Sequence, residues 1–173
     1  MIFISGVHGV GKSYFCDLLR EHLGVDSYTA STLIAEKKKV GFSSDKHVSD
    51  IDKNQLYLLE AVKELRESGK EFLLDGHFCL LDKLGKIARI PMETFTSLAP
   101  DAIVLLTEEP AIIAERRKQR DGIDHSAVDI KAFQDEEKTY ANDVAALLRI
   151  PIRICAGSAD VESTIDFIGD RRI

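Results

Sequence analysis

Met1-Ile2-Phe3-Ile4-Ser5-Gly6-Val7-His8-Gly9-Val10-Gly11-Lys12-Ser13 opens the chain, and the fold turns on how this stretch is read. Met1–Ser5 is a short apolar run that reads as a buried strand, and a helix is predicted over about Lys12–Leu23. Between them, Gly6–Ser13 matches GxxxxGK[ST] without a mismatch. The pattern alone has false positives; the strand before it and the helix after it carry the argument. In that setting the backbone N–H groups of Gly9–Ser13 curl around a triphosphate. Glycines are needed because side chains would block the close approach of the backbone. The helix N-terminus adds about 0.3–1 kcal/mol for nearby negative charge. Gly6, His8, Gly9, Val10, Gly11, Lys12 and Ser13 are therefore the expected nucleotide-binding residues. Lys12 is expected to bridge β- and γ-phosphate oxygens from an exposed position in the crevice, and the Ser13 hydroxyl to ligate Mg²⁺.

Outward from this stretch, short β-branched runs alternate with helical ones. Strands are predicted at Val25–Thr29, Glu71–Asp75, Asp101–Thr107 and Pro151–Cys155, and helices at Ser31–Lys39, Asp50–Glu67, Glu109–Arg120, Asp129–Leu148 and Val161–Ile168. Gly41–Asp50 reads as a polar loop, Gly76–Pro91 as irregular chain, and Met92–Leu98 as a helical turn. The alternation predicts one α/β domain of the three-layer P-loop NTPase type, with a central, mostly parallel sheet and helices on both faces.

A length of 173 residues suits one domain with a substantial core, and 45 % hydrophobic with 30 % charged residues is the profile of a soluble globular protein. The formal net charge of −6 argues against non-specific binding to nucleic acid or an anionic membrane. A small polyanionic substrate then requires a local cluster of positive charge. There is no apolar run of about 18 residues and no signal-peptide pattern, so a cytoplasmic protein is expected. Cys16, Cys79 and Cys155 are far apart in apolar surroundings and read as reduced, buried thiols.

A P-loop needs a carboxylate to hold Mg²⁺, usually at the end of a neighbouring hydrophobic strand. Asp75, directly after Phe72-Leu73-Leu74, fits better than Glu108, and Gly76 lets the chain turn away. His77 would project into the same crevice, where its neutral ring contacts phosphate or orients water, or its charged form pairs with phosphate. Arg116 and Arg120 share one helix face and are expected to neutralise charge on the transferring phosphoryl group. Arg117 lies about 100° round the helix, pointing elsewhere than that pair, and is grouped with the nucleotide-binding residues. Residues 121–126 form a short loop suited to opening and closing over nucleotide. Lys37-Lys38-Lys39 is read either as a phosphate site for an acceptor or as a solvated helix end. Asp135-Glu136-Glu137 is read as a solvent face, and His125 is given no partner and no role.

These motifs together resemble the archaeal-type adenylate kinases and, more distantly, the nuclear adenylate kinase-like proteins of eukaryotes. The likeness rests on Gly6–Ser13, on Asp75-Gly76-His77 as an Asp-x-His ending, on Leu98-Ala99-Pro100-Asp101 leading into a strand, and on Arg116-Arg117 with Arg120-Asp121. It implies a five-stranded sheet, an acceptor-binding insertion at about residues 30–60 and a lid at about 116–127. It further implies ATP phosphates on Gly9–Tyr14, Asp75 handling Mg²⁺ through water, His77 near the acceptor, and Ala156-Gly157-Ser158 against adenine. The expected activity is transfer of the ATP γ-phosphoryl group to a nucleoside monophosphate, AMP by resemblance. Two alternatives stand beside it: an ATP-driven switch acting on a protein partner, and a kinase of a small non-nucleotide acceptor such as a sugar acid.

Overall fold

The computed structural model describes residues 1–40, 50–82 and 84–171. Along the chain run β1 (Ile2–Ser5), α1 (Lys12–Leu23), β2 (Asp26–Thr29), α2 (Ala30–Val40), α3 (Asp50–Glu67) and β3 (Phe72–Asp75). Then follow β4 (Cys79–Leu81), β5 (Ile87–Arg89), α4 (Met92–Leu98), β6 (Ala102–Thr107), α5 (Pro110–Asp121), α6 (Ala127–Leu148), β7 (Ile152–Ala156) and α7 (Val161–Gly169). A short 3-10 turn, Ser158–Asp160, leads into α7.

The main sheet has the order β2-β3-β1-β6-β7, and every pairing in it is parallel. All four side chains of β1 and the first five of β6 are buried. Successive strand residues face opposite sides, so both faces of the sheet are covered, as the three-layer expectation requires. After β1 the chain first builds outward to β2 and β3, then crosses β1 to build β6 and β7 on its other side. That reversal opens a crevice beyond the carboxyl ends of the central strands, where ligands of open α/β sheets bind.

Register places the chemistry. Ile4 pairs with Asp75 across β1 and β3, so the carboxylate ends its strand beside the start of the P-loop. Gly76 N–H then donates to Ile4 O at 3.0 Å. A Cβ at Gly76 would stand 2.7 Å from the Phe3 ring, so the glycine is required by a close approach rather than by a turn. Phe3, Phe78 and Phe95 pack edge to face or tilted, with centroids 4.7–5.7 Å apart, and form the floor under the crevice.

Helix boundaries follow their caps. The expected bounds of α1 and α3 coincide with the observed ones, and Gly24 ends α1 in the left-handed conformation. Helix α6 begins at Ala127, two residues before its expected start, because the Ser126 side chain accepts from Asp129 N–H. The expected loop at Gly41–Asp50 lies outside the described residues except for Asp50, which opens α3. The stretch Gly76–Pro91 is not irregular: β4 and β5 form an antiparallel hairpin pairing Cys79 with Arg89 and Leu81 with Ile87. Its turn is closed by Asp82 Oδ1, which accepts from the N–H groups of Leu84 and Lys86 at 2.8 Å each.

Candidate active site

Strand β1 delivers the chain into Gly6, whose φ is 144°. A Cβ there would lie 2.6 Å from the Leu106 carbonyl oxygen on β6, so only glycine lets the loop leave the sheet at this point. Lys12 folds back over the loop. Its Nζ donates to Gly6 O at 2.7 Å and stands 3.9 Å from Asp75 Oδ1. The expectation that Lys12 is exposed fails: only 9 % of the side chain is accessible, because it lies between the ends of β1 and β3. Burial lowers its pKa, and Asp75 and Glu137 pull the other way.

Asp75 is largely buried, and burial holds its carboxyl above the ordinary range against the opposing pull of Lys12. At 3.9 Å the ammonium is beyond hydrogen-bond reach, which leaves the Asp75 oxygens available to a cation. Ser13 and Asp75 line the same cleft. An exposed hydroxyl and a carboxylate are hard oxygen donors, so this pair fits Mg²⁺ by its chemistry. His77 also lines the cleft. Burial is the main cause that pushes its pKa down to about 2, helped by Lys12 and His8 and opposed by the Gly6 backbone. Of the two expected states of His77, this environment favours the neutral ring. Its ring lies 4.3 Å from that of His8, whose pKa burial also lowers, and its Nδ1 has no hydrogen-bond partner.

The arginines of α5 grip the P-loop from the outside. Arg116 Nη1 donates to Val10 O at 3.0 Å and Nη2 to Glu108 Oε2 at 3.2 Å. Arg117 Nε donates to His8 O at 2.8 Å, and its Cγ would lie 2.9 Å from a Cβ at Gly9. Arg117 is not among the residues lining the cleft, yet it reaches the P-loop as well: as consecutive residues of α5, Arg116 and Arg117 hold two carbonyls of the same loop. Arg116 and Arg120 line the cleft together as expected. His125, given no partner from the sequence, is 3.1 Å from Asp121, which in turn meets Arg120 at 3.5 Å.

The cleft is a cavity of about 750 Å³. It runs from Lys12, Ser13, Asp75 and His77 into a chamber walled by Phe3, Ile34, Leu58, Ile90, Phe95 and Leu98. Gln55 of α3 is buried there with an unpaired Oε1. Of the three lysines, Lys38 lines the chamber, whereas Lys37 is paired with Glu64. A second cavity of about 360 Å³ lies on the other side of the P-loop, lined by Val10, Tyr14, Glu108, Arg116, Gly157 and Ser158 among others. Tyr14 is exposed and borders both cavities.

Glu137 corrects the reading of the acidic run. It is 1 % exposed, and its carboxylate accepts from Ser5 Oγ and from the N–H groups of Phe78 and Cys79. The signal was present: Glu137 falls on the stripe Ile130, Phe133, Tyr140, Ala141 and Val144, which is the buried face of α6. Gln55 carried no such signal, since a single amide in a helix is ordinary on either face. Glu108, set aside as the Mg²⁺ carboxylate, instead anchors Arg116.

A family model described as an AAA domain matches residues 5–134, from the end of β1 into α6. The chain belongs to that family. Within it, the likeness to adenylate kinases read from the motifs holds over the chain's length. A Methanocaldococcus jannaschii protein described as "Putative adenylate kinase" is 25 % identical over 178 residues, covering 96 % of this chain and 82 % of that protein. Among solved structures, an uncharacterized protein from Eubacterium ventriosum superposes with a TM-score of 0.57 at 17 % identity, covering 98 % of this chain and 95 % of that one. A gluconokinase from Sinorhizobium meliloti gives 0.52 at 17 % identity, with 99 % and 97 % covered. A sugar kinase from a Janibacter species gives 0.54 at 12 % identity, with 96 % and 90 % covered. At these identities the structures establish the fold, a kinase-like P-loop α/β domain. Among the described residues, no helix of this AAA-domain protein is long and apolar enough to cross a membrane.

Proposed function

We propose that this protein transfers the γ-phosphoryl group of ATP to a nucleoside monophosphate, with AMP favoured by the likeness to adenylate kinases. One observation carries the reading. The chamber beyond Asp75 and His77 has aromatic and aliphatic walls with one unpaired buried amide oxygen, on Gln55. Such a chamber suits a flat base that brings an N–H donor to Gln55 and stacks against apolar surface.

In this reading the chain is one kinase-like domain with an acceptor-binding insertion at residues 30–60, of which 41–49 lie outside the described residues, and a lid at 116–127. The donor base lies in the second cavity near Tyr14, Gly157 and Ser158, and its phosphates lie on the amides of Gly9–Ser13. Lys38 faces the acceptor phosphate. Ser13 and Asp75 would hold Mg²⁺, which would supply positive charge that offsets the charge developing in transfer. Lys12 turns from Gly6 O to phosphate, and the neutral His77 orients the acceptor by hydrogen bonding. Arg116 and Arg120 offset the charge that spreads over the γ-phosphoryl oxygens. The remaining contribution is alignment of donor and acceptor with exclusion of water.

The test is a screen of nucleoside monophosphates, with gluconate alongside, for ADP production from Mg²⁺-ATP above the background hydrolysis rate. Strong stimulation by a monophosphate whose base carries an amino group is the expected result. If none stimulates turnover and gluconate does, the acceptor assignment is wrong.

A further inference from the structure

Glu137 sits midway along α6 with its carboxylate turned inward to the ends of two strands. Oε1 accepts from Ser5 Oγ at 2.6 Å and from Phe78 N–H at 2.9 Å, and Oε2 accepts from Cys79 N–H at 2.7 Å. Ser5 is the last residue of β1, next to Gly6 of the P-loop. Phe78 and Cys79 directly follow Asp75-Gly76-His77. One side chain from a third element therefore straps the loop that carries Lys12 and Ser13 to the segment that carries Asp75 and His77.

Satisfying buried donors is one part of what Glu137 does. Burial raises the Glu137 pKa, and its three donors together with Lys12 oppose that shift. Two of the three donors are backbone N–H groups, which an apolar side chain at this position would leave unpaired. A polar strap gives something that apolar packing does not: fixed direction at both ends, because each bond requires its donor within a narrow range of distance and angle.

We infer that Glu137 is a positioning residue for phosphoryl transfer, fixing the spacing between the P-loop and the Asp75–His77 segment through its bonds to Ser5, Phe78 and Cys79. The inference rests on the reading of the cleft as a phosphoryl-transfer site. The chemistry depends on that spacing, because Lys12 and Ser13 reach the cleft from the P-loop and Asp75 and His77 from the neighbouring strand end. A displacement of about 1 Å in such a constellation lowers turnover by about a hundredfold.

Glu137→Gln keeps the shape but turns an amide NH₂ toward one of the three donors. The expected result is a fall in kcat of about 10–100-fold, with KM for Mg²⁺-ATP and for the acceptor within about threefold of the original protein. Ser5→Ala removes one bond of the same strap. It should lower kcat by a smaller factor and add nothing in the Glu137→Gln background, since both act through one linkage. Melting curves on each variant ensure that rates are measured on folded protein. If Glu137→Gln does not fold, Ser5→Ala decides alone: reduced kcat at unchanged KM supports the inference, and unaltered kcat overturns it. An unaltered kcat in Glu137→Gln with a lowered melting temperature would also overturn it, as would a loss that lies wholly in KM for ATP. Basal ATP hydrolysis without acceptor is measured on the same preparations. If no monophosphate stimulates the unmutated protein, the acceptor reading fails, while the effect of Glu137→Gln on hydrolysis still decides the positioning role.

Discussion

Lys12→Met removes the ammonium at the centre of the site while keeping most of the side chain's bulk, and its consequences reach beyond turnover. At 3.9 Å, Lys12 and Asp75 attract by about 4 kcal/mol at an effective dielectric of about 20. Removing the ammonium also lifts its own desolvation, which is the dominant influence on Lys12. That offsets part of the loss and leaves about 2 kcal/mol of destabilisation near pH 8. In a chain of 173 residues this corresponds to about 4–8 °C in melting temperature. The pH dependence is diagnostic. Burial raises the folded-state pKa of Asp75, and Lys12 is the opposing influence. As pH rises, the unfolded chain releases this proton before the folded protein does. The stability that Asp75 contributes is therefore present below the unfolded value, about 4, and is lost as pH climbs through the folded value. Without Lys12 the folded value rises further and the loss grows, with Glu137 moving in the same sense. Melting temperatures of variant and parent should converge toward pH 4 and separate toward pH 8, and adding Asp75→Asn should recover most of the gap. Turnover should fall by a factor of about a hundred or more. A variant that melts with the parent across pH 5–8, or keeps turnover within tenfold, refutes the pairing argument.

Gly6→Ala should destabilise the protein by about 2–3 kcal/mol in denaturant unfolding, because its Cβ would press on the immobile Leu106 carbonyl at a φ that L-residues avoid. Arg116→Ala should lower kcat by about a hundredfold in a coupled assay. The same change should alter stability by less than about 1 kcal/mol, since the side chain is half-exposed. Gln55→Leu should raise the acceptor KM by about tenfold and leave the KM for ATP unchanged, a split that steady-state kinetics reads directly.

How much of this was legible follows from where each signal is local. Strand β1, the P-loop and α1 are encoded within residues 1–24, the last a capping glycine, and they appear where the sequence puts them. Helix α3 is bounded by its apolar spacing and by Ser68-Gly69, so both ends were readable. The β4–β5 hairpin was not, because its strands are three residues each and its turn depends on Asp82 side-chain bonds rather than on a turn dipeptide. The burial of Lys12 has no local signal because it depends on β3 lying next to β1, a tertiary fact. Arg117 was placed by helical angle alone, which gives a direction from the axis but not what stands there. Gln55 and Glu137 mark the two limits. The first becomes informative only once a cavity surrounds it, whereas the second was readable from its place on the apolar stripe of α6 and was lost to its acidic neighbours.

The net charge of −6 demanded a local concentration of positive charge if phosphates are to bind, and the structure supplies it at one end of the sheet through Lys12, Lys38, Arg116 and Arg120. Its arrangement adds a second point. Arg116 and Arg117 donate to the carbonyls of Val10 and His8. A planar trans peptide held by its carbonyl on one side presents its N–H on the other, so these bonds fix the direction of the Gly11 and Gly9 amides. A guanidinium at the carbonyl also polarises the amide and strengthens its N–H as a donor. The loop is thereby shaped before any nucleotide arrives, with α5 bracing its carbonyls and Glu137 bracing the adjoining strand ends. A site organised this way needs little rearrangement at the moment of transfer, which is the condition under which fixed dipoles contribute most to lowering a barrier.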